Sequence, residues 1–430
     1  MNKMNFRYQL NEIPPKRDLI LLGLQWLVIA IPFVVIIGKA AAGQHLNDPA
    51  AQTLYLQKLF FITAVTVLIQ FHWGHGLPLI VGPATVLLVG IAASQSSSID
   101  TISSSIMVGG FVLMALNRTR LFSYLKDLFT PRVVAGTLIL IAFTLTPMIM
   151  DLITATRGGD TEFLNLVFAL VFVYILFIAN KHAQGIWKST LNIWAILIGT
   201  LVYNFFFSMK IVKTPGFNLI APYFYDFTFG LAFDPGVIIS FLFCFTALAI
   251  NDLGSIQSLS EIIRPDSRDK RITAGIFVTG LGNILAGFFG VIGPVNFSLS
   301  PGVVISTGCA SRYTLIPMAL GLLAISFFPG VIAFIGAIPS VVLGSVLVYI
   351  MCSQIAAGLE IAFNAQGGFT HEQGLVMGLG LMLSIIVSFL PPDTLNTFPA
   401  VLRPVLGNGF VMGVVSVLIM EHLIFKERTE

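Results

Sequence analysis

Apolar residues in this chain gather into runs separated by short polar stretches. A run of roughly 20 apolar residues is what a helix needs to cross the hydrocarbon layer of a membrane. Clear runs occupy 18–38, 131–153, 162–180, 188–209, 235–257, 271–291, 371–391 and 400–424, with less regular ones at 57–71, 77–94, 104–117, 299–310, 313–329 and 331–358. Together they predict an all-α polytopic membrane protein of about fourteen transmembrane segments, in which the 331–358 stretch is open to more than one division. The polar residues 1–17 have no apolar core followed by a cleavage site, so the first run is predicted to stay as a helix.

Composition narrows the class further. The chain is 56% hydrophobic and 10% charged, with a mean hydropathy of +0.91, whereas a soluble domain carries roughly 25% charged residues. A net charge of +3 gives no case for nucleic acid; its distribution matters more. With a cytoplasmic N-terminus and fourteen alternating segments, seventeen basic residues fall on the cytoplasmic side. Only Lys39, Lys58, Arg157, Lys210, Lys213 and Arg403 fall outside. That bias is the one expected of cytoplasmic loops. Both termini are then cytoplasmic, and a bacterial inner membrane is the expected location. Cys244, Cys309 and Cys352 stand far apart and suggest neither a metal nor a disulfide framework. His72 and His75 have the spacing of a metal pair but no acidic or cysteine partner nearby, so loop contacts are expected of them.

Two segments depart from plain helix. Leu77-Pro78-Leu79-Ile80-Val81-Gly82-Pro83-Ala84-Thr85 and Gly293-Pro294-Val295-Asn296-Phe297-Ser298-Leu299-Ser300-Pro301-Gly302 put proline and glycine in mid-membrane. Proline lacks an N–H and favours an extended residue before it. It suits the first turn of a helix. Each segment therefore predicts an extended stretch leading into a half-helix, over 82–87 and 299–305; a simple kink is the alternative. Pro83 and Pro301 lie 218 positions apart, and the first spans of the two halves begin 217 apart, near Asp18 and Pro235. Each broken segment is thus the third of seven, and an odd repeat enters from opposite sides. Interrupted segments at equivalent places in inverted repeats point to a transporter's binding site.

These stretches resemble the nucleobase–ascorbate transporter family, the uracil/xanthine permeases. Leu24-Gln25-Trp26 is similar to the family's Leu-Gln-His, and Leu-Pro…Gly-Pro-Ala-Thr to its third segment. Gly302-Val303-Val304-Ile305-Ser306-Thr307-Gly308 matches the back of its signature motif. The resemblance implies a 7+7 inverted repeat with short extended stretches in spans 3 and 10. It implies a core domain of spans 1–4 (18–130) and 8–11 (235–330), and a gate domain of spans 5–7 (131–234) and 12–14 (331–430). It also implies elevator-like movement, a homodimer through the gate domain, and uptake of a nucleobase such as uracil or a purine, usually with H⁺ and in some members with Na⁺. The departures are informative. Leu299 and Ser300 stand where nucleobase carriers have Glu or Gln and then Asn, and Asn251 stands at the position of the eighth span's Glu, with Asp252 one residue later.

Residue chemistry sets the remaining candidates. Asp252 is the only acidic residue deep inside a predicted span, and carboxylates there serve by default as ion, proton or substrate contacts. It is the candidate proton-coupling residue; a structural carboxylate bonded within the core domain is the alternative. Asn251 and Ser255 share a helix face by spacing and are expected to line the cavity beside it. The half-helix starts offer backbone N–H groups and positive dipole ends. Ala84, Thr85, Ser298, Ser300 and Gly302 are small enough for a ligand to approach them. Gln25 adds an amide, and Trp26 and Phe297 are candidates for stacking on a planar ligand. Gly280, Gly282, Gly287 and Gly290 are read as helix packing. The pairs Gly374/Gly378 and Gly409/Gly413 fit either a dimer or internal packing. No cofactor is expected. No intramembrane nucleophile–base pair or metal cluster argues for an enzyme. An anion carrier of the sulfate or bicarbonate kind on the same fold, with Na⁺ beside Asp252, is the alternative that Leu299 favours. The partners are then a small solute and lipid.

Overall fold

The computed structural model describes residues 6–117, 130–156, 161–184, 187, 191–207, 230–297, 300–336, 338–364, 369–399 and 403–425. The chain is mostly helical, and a helix lies within every one of the apolar stretches. Among the described residues, eight helices are long and apolar enough to cross a membrane: Lys16–Gly43, Pro49–His72, Arg132–Thr154, Glu162–His182, Pro235–Ser260, Arg268–Phe288, Ser340–Phe363 and His371–Ser388. Shorter apolar helices accompany them at Ile99–Ala115, Trp194–Phe207, Arg312–Ser326 and Gly409–Ile424.

The sequence sets these boundaries through caps. Three helices open on a capping side chain followed by proline: Asp48-Pro49, Thr130-Pro131 and Asp234-Pro235. The side chain accepts an orphan N–H of the first turn, and proline has no N–H to orphan. Asp234 Oδ1 takes the N–H groups of both Gly236 (2.8 Å) and Val237 (3.1 Å). Thr370 and Gln373 form a capping box at the start of His371–Ser388. Two apolar runs turn out divided. The 131–153 run breaks between Pro131–Thr144 and Thr146–Thr154, where Pro147 cannot donate. The 331–358 run separates into Pro329–Gly336 and Ser340–Asn364.

The two proline-interrupted segments meet. β1 (Val81–Pro83) and β2 (Pro294–Asn296) pair antiparallel in the register Val81–Asn296, Gly82–Val295 and Pro83–Pro294. The half-helix Thr85–Ala93 follows β1, and the half-helix Ser300–Thr307 follows β2. The expected extended stretches are present, but 82–83 belong to the strand, so the first half-helix starts at Thr85 and not at 82.

Around this crossing, Lys16–Gly43 and Pro49–His72 pack on Leu315–Ser326, and Pro235–Ile263 packs on Ile99–Asn117 and Thr85–Ala93. Elsewhere Ser340–Asn364 packs on Pro131–Thr144, Thr146–Thr154 and Glu162–His182, and His371–Ser388 on Pro131–Thr144 and Gly409–Ile419. The N-terminal segment is tied down: Arg7 N–H donates to Gly308 O (2.8 Å) and Ala310 N–H to Tyr8 O (2.9 Å), so residues 7–10 lie along the loop that follows the second half-helix.

Glycine decides the closest helix approach. Arg268–Phe288 meets Ile99–Asn117 backbone to backbone: a Cβ at Gly110 would sit 2.7 Å from Gly280 O, and one at Gly287 2.5 Å from Ser103 O. Gly413 likewise abuts Gly380 O at 3.1 Å, so it serves internal packing, whereas a Cβ at Gly378 would meet nothing within 4 Å. Gly110→Val is expected to cost roughly 1–3 kcal/mol by forcing the two backbones apart. Gly378→Ala is expected to hold or raise the melting temperature of the detergent-solubilised protein. A Gly110→Val protein that melts like wild type would contradict this packing.

Candidate substrate and coupling site

In the hydrocarbon layer a strand must have every backbone group satisfied internally. β1 and β2 do this for each other, and side chains complete the pairing. Ala84 N–H reaches Gly293 O (2.9 Å) and Phe297 N–H reaches Ile80 O (2.8 Å). Ile80 N–H donates to Ser300 Oγ (3.0 Å), and Ser300 Oγ donates to Phe297 O (2.9 Å). Because the strands run antiparallel, the half-helices leave the crossing in opposite senses. Both N-termini therefore face it, each with orphan N–H groups and a positive dipole end. Pro301 occupies the first turn of the second half-helix, as proline prefers.

Behind the crossing lies a closed polar network. Asp252, on the Pro235–Ile263 helix, is 0% exposed. Its Oδ1 accepts from Asn296 N–H (3.0 Å) and Asn296 Nδ2 (2.6 Å), and its Oδ2 accepts from Thr279 Oγ1 (2.7 Å). The far side of the Asn296 amide, Oδ1, lies 3.0 Å from His75 Nε2. His75 Nδ1 accepts from Leu77 N–H (2.9 Å), so Nε2 carries the proton and donates to Asn296. Gln70 Nε2 donates to Gly275 O (2.9 Å) and Thr279 Oγ1 (3.1 Å). Ser255 Oγ donates to Asn296 O (3.0 Å), and Asn283 Nδ2 to Pro294 O (2.9 Å). Two helices and the loop before β1 thus hold β2 through side chains, and Gln70 of a third helix braces Thr279. Arg271 Nη1 in turn holds that loop at His75 O (2.7 Å).

On the Pro235–Ile263 helix, Asp252 and Ser255 are buried in the network, and Asn251 is half-buried beside them. One turn on, Gly254 is exposed, and a Cβ there would meet nothing within 4 Å. Asn251 and Ser255 share a flank of the helix by spacing: Ser255 Oγ bonds both Asn251 O (2.8 Å) and Asn296 O, while Gly254 looks onto open space. Ala84 is buried as the residue capping the first half-helix, and Thr85 and Gln25 are half-buried. Ser300 is 0% exposed and its hydroxyl is used up by the crossing. Gly302 lies in the second half-helix; Ser298 and Leu299 lie outside the described residues. Trp26 is 3% exposed and packs in the core, so it is not available for stacking. Phe297 is half-buried, 5.0 Å from Phe33 between ring centroids, and its ring lies where a Cβ on Gly82 would sit 2.6 Å away.

Sequence reasoning missed His75, Thr279, Asn296 and Gln70. Their signal was available as polar residues in predicted spans or, for His75 and Asn296, beside one, but nothing local pairs residues more than 200 positions apart. His72, which bonds Leu68 O, stays on the surface and does not join His75, and among the described residues no His/Cys/Asp/Glu group could hold a metal. A cavity of about 280 Å³ bordered by Lys58, Asp100 and Ser103 lies toward the opposite ends of these helices, and no predicted site residue lines it.

The role of Ser300 is testable. Ser300→Ala leaves the buried Ile80 N–H without its acceptor, at a cost of about 1–3 kcal/mol. The melting temperature should fall, whereas Ser300→Thr should keep most of it. Equal stability of Ser300→Ala and wild type would mean that Ile80 N–H finds another partner.

A family model described as a permease family, that of the xanthine/uracil permeases, matches residues 17–393. The xanthine permease of Bacillus subtilis is 25% identical over 410 residues, covering 91% of this chain and 90% of that protein. The uric acid transporter UacT of Escherichia coli is 25% identical over 436 residues, covering 96% and 87%. Among solved structures, the transmembrane domain of the cyanobacterium bicarbonate transporter BicA is similar with a TM-score of 0.62 at 17% identity, covering 88% of this chain and 98% of that one. The anion transporter SLC26A9 is similar with a TM-score of 0.58 at 13% identity, covering 97% and 67%. At such identities these two structures share the fold alone. With the family model matching most of its length and apolar helices from end to end, the chain is an integral, multi-pass membrane protein that belongs to the xanthine/uracil permeases, as a divergent member of the nucleobase–ascorbate transporter family.

Proposed function

We propose that this permease is a secondary active transporter that carries a nucleobase, xanthine or uric acid in the first instance, across the membrane with H⁺. The observation that carries the reading is the antiparallel crossing of β1 and β2, from which two half-helices present their N-termini to one place. Orphan N–H groups there suit the carbonyl oxygens of an oxidised purine. Asn251, at the edge of the open space beside Gly254, offers an amide to the ring, and Gln25 and Thr85 offer further polar contacts. An amide pairs with a purine edge as donor and acceptor at once. The names of the relatives support this substrate class. The anion-carrier alternative has only a shared fold behind it.

In this reading the helices form fourteen spans in a 7+7 inverted repeat. The core domain (18–130 and 235–330) carries the crossing and slides as an elevator against the gate domain (131–234 and 331–430), through which two copies pair. The termini are cytoplasmic in a bacterial inner membrane. Asp252 is the coupling group: its carboxylate has three donors and, among them, no cation, so its proton count alters the network that holds β2.

Two measurements test this. Xanthine or urate is expected to raise the melting temperature of the purified protein by mass action, whereas sulfate and bicarbonate leave it unchanged. A shift with anions only would move the assignment to the alternative. Asp252→Asn is expected to abolish uptake driven by a pH gradient while the protein still reaches the membrane. Full gradient-driven uptake in that variant would remove Asp252 from coupling.

A further inference from the structure

The network around Asp252 is not symmetric, and the asymmetry says which oxygen takes the proton. Oδ1 faces two donors of Asn296, its backbone N–H and its Nδ2. That amide cannot turn over. Its oxygen is held by His75 Nε2–H, and His75 is fixed in that tautomer by Leu77 N–H on Nδ1. A reversed amide would set Asn296 Oδ1 against the carboxylate. The Oδ1 side is therefore a permanent donor side, where an added proton would collide with protons already present.

Oδ2 faces a different group. Thr279 Oγ1 has one proton and two acceptors within reach, Asp252 Oδ2 at 2.7 Å and Gly275 O at 3.1 Å. With Asp252 ionised, the hydroxyl donates to Oδ2. With Oδ2 protonated, the hydroxyl can turn to Gly275 O and accept the new O–H from Asp252. Its other lone pair already takes Gln70 Nε2 (3.1 Å). Both states are thus hydrogen-bonded with the heavy atoms in place.

We propose that Thr279 is a positioning residue for proton coupling, a hydroxyl rotor that lets Asp252 gain and lose a proton at Oδ2 while Asn296 and His75 keep Oδ1 fixed. This rests on Asp252 being the coupling group. An O–H bond forms at Oδ2 from a hydronium ion, leaving water, and the carboxylate becomes neutral. The O–H bond of Thr279 turns without breaking, and no electrons move. Among the described residues, His75 stands behind Asn296, followed by Arg271 and Arg312, while Asp100 on Ile99–Asn117 and Arg268, Asp269 and Lys270 on Arg268–Phe288 stand in the first turns of the packed helices. The guanidiniums of Arg271 and Arg312 lie about Gly76, with Asp266 beside Arg271 through its backbone.

The test uses the full-length protein in liposomes. Infrared difference spectra between acid and neutral pH should contain a carboxyl C=O band that Asp252→Asn removes. Thr279→Val, which can neither donate nor accept, should move that band to higher wavenumber, and Thr279→Ser should return it. The ratio of proton-gradient-driven to homoexchange uptake of xanthine should fall about ten-fold in Thr279→Val and recover in Thr279→Ser, as expected for one charge-assisted hydrogen bond. A general folding defect would lower both fluxes together. An Asp252 band at the same wavenumber in wild type and Thr279→Val overturns the rotor, as does the absence of any titrating band that Asp252→Asn removes. Wild-type xanthine uptake indifferent to a proton gradient would instead remove the coupling reading, and the infrared comparison would still decide the rotor.

Discussion

Backbone that is neither helix nor closed barrel cannot stand in hydrocarbon unless protein satisfies it. The six residues of β1 and β2 breach that rule in each half of the chain, and neither strand can be satisfied within its own half. Each supplies what the other lacks, so the two halves depend on each other at the point where both are least helical. The half-helices, their opposed directions and the shared focus of their N-termini all follow from that pairing.

The cost of the pairing is visible in what surrounds it. Gly82 has no Cβ because Phe297 lies on that face, and Gly293 has none because Asn283 Oδ1 would be 1.7 Å from it. Ser300 gives its hydroxyl to Ile80 N–H, and Asp252, Asn283 and Ser255 each bond a backbone group of β2 or its flanks. A buried carboxylate with three donors and no cation is expensive to assemble. It is also sensitive, because adding one proton removes the charge that organises the donors. The same side chain can thus hold the strand and respond to pH, and the sequence had offered those two roles as alternatives.

Departure from the family's usual residues becomes intelligible in this geometry. A carboxylate at 252 turns inward, not toward the open side where Gly254 looks out. The open face of this helix therefore presents bare backbone with a neutral amide at its edge, while the charge is moved behind the strand. The amide of Asn251 and the carboxylate of Asp252 are neighbours in sequence, about a quarter of a turn apart on one helix.

The sequence by itself determined whatever is local. Apolar run length located the helices, Asp-Pro and Thr-Pro pairs started three of them, and Pro83 and Pro301 marked the two breaks. The spacing of those breaks matched them across the two halves. The rotation of the Pro235–Ile263 helix was not legible. With apolar residues on every side of a spanning helix, its periodicity does not say which flank meets a neighbour, so the bond of Ser255 to β2 and the exposure of Gly254 could not be assigned. Nor was the link between His75 and Asn296, 221 positions apart, or that between Asp252 and Thr279. Such bonds are chosen only when the packed helices exclude water and leave each polar group a single partner, and that choice belongs to the tertiary structure.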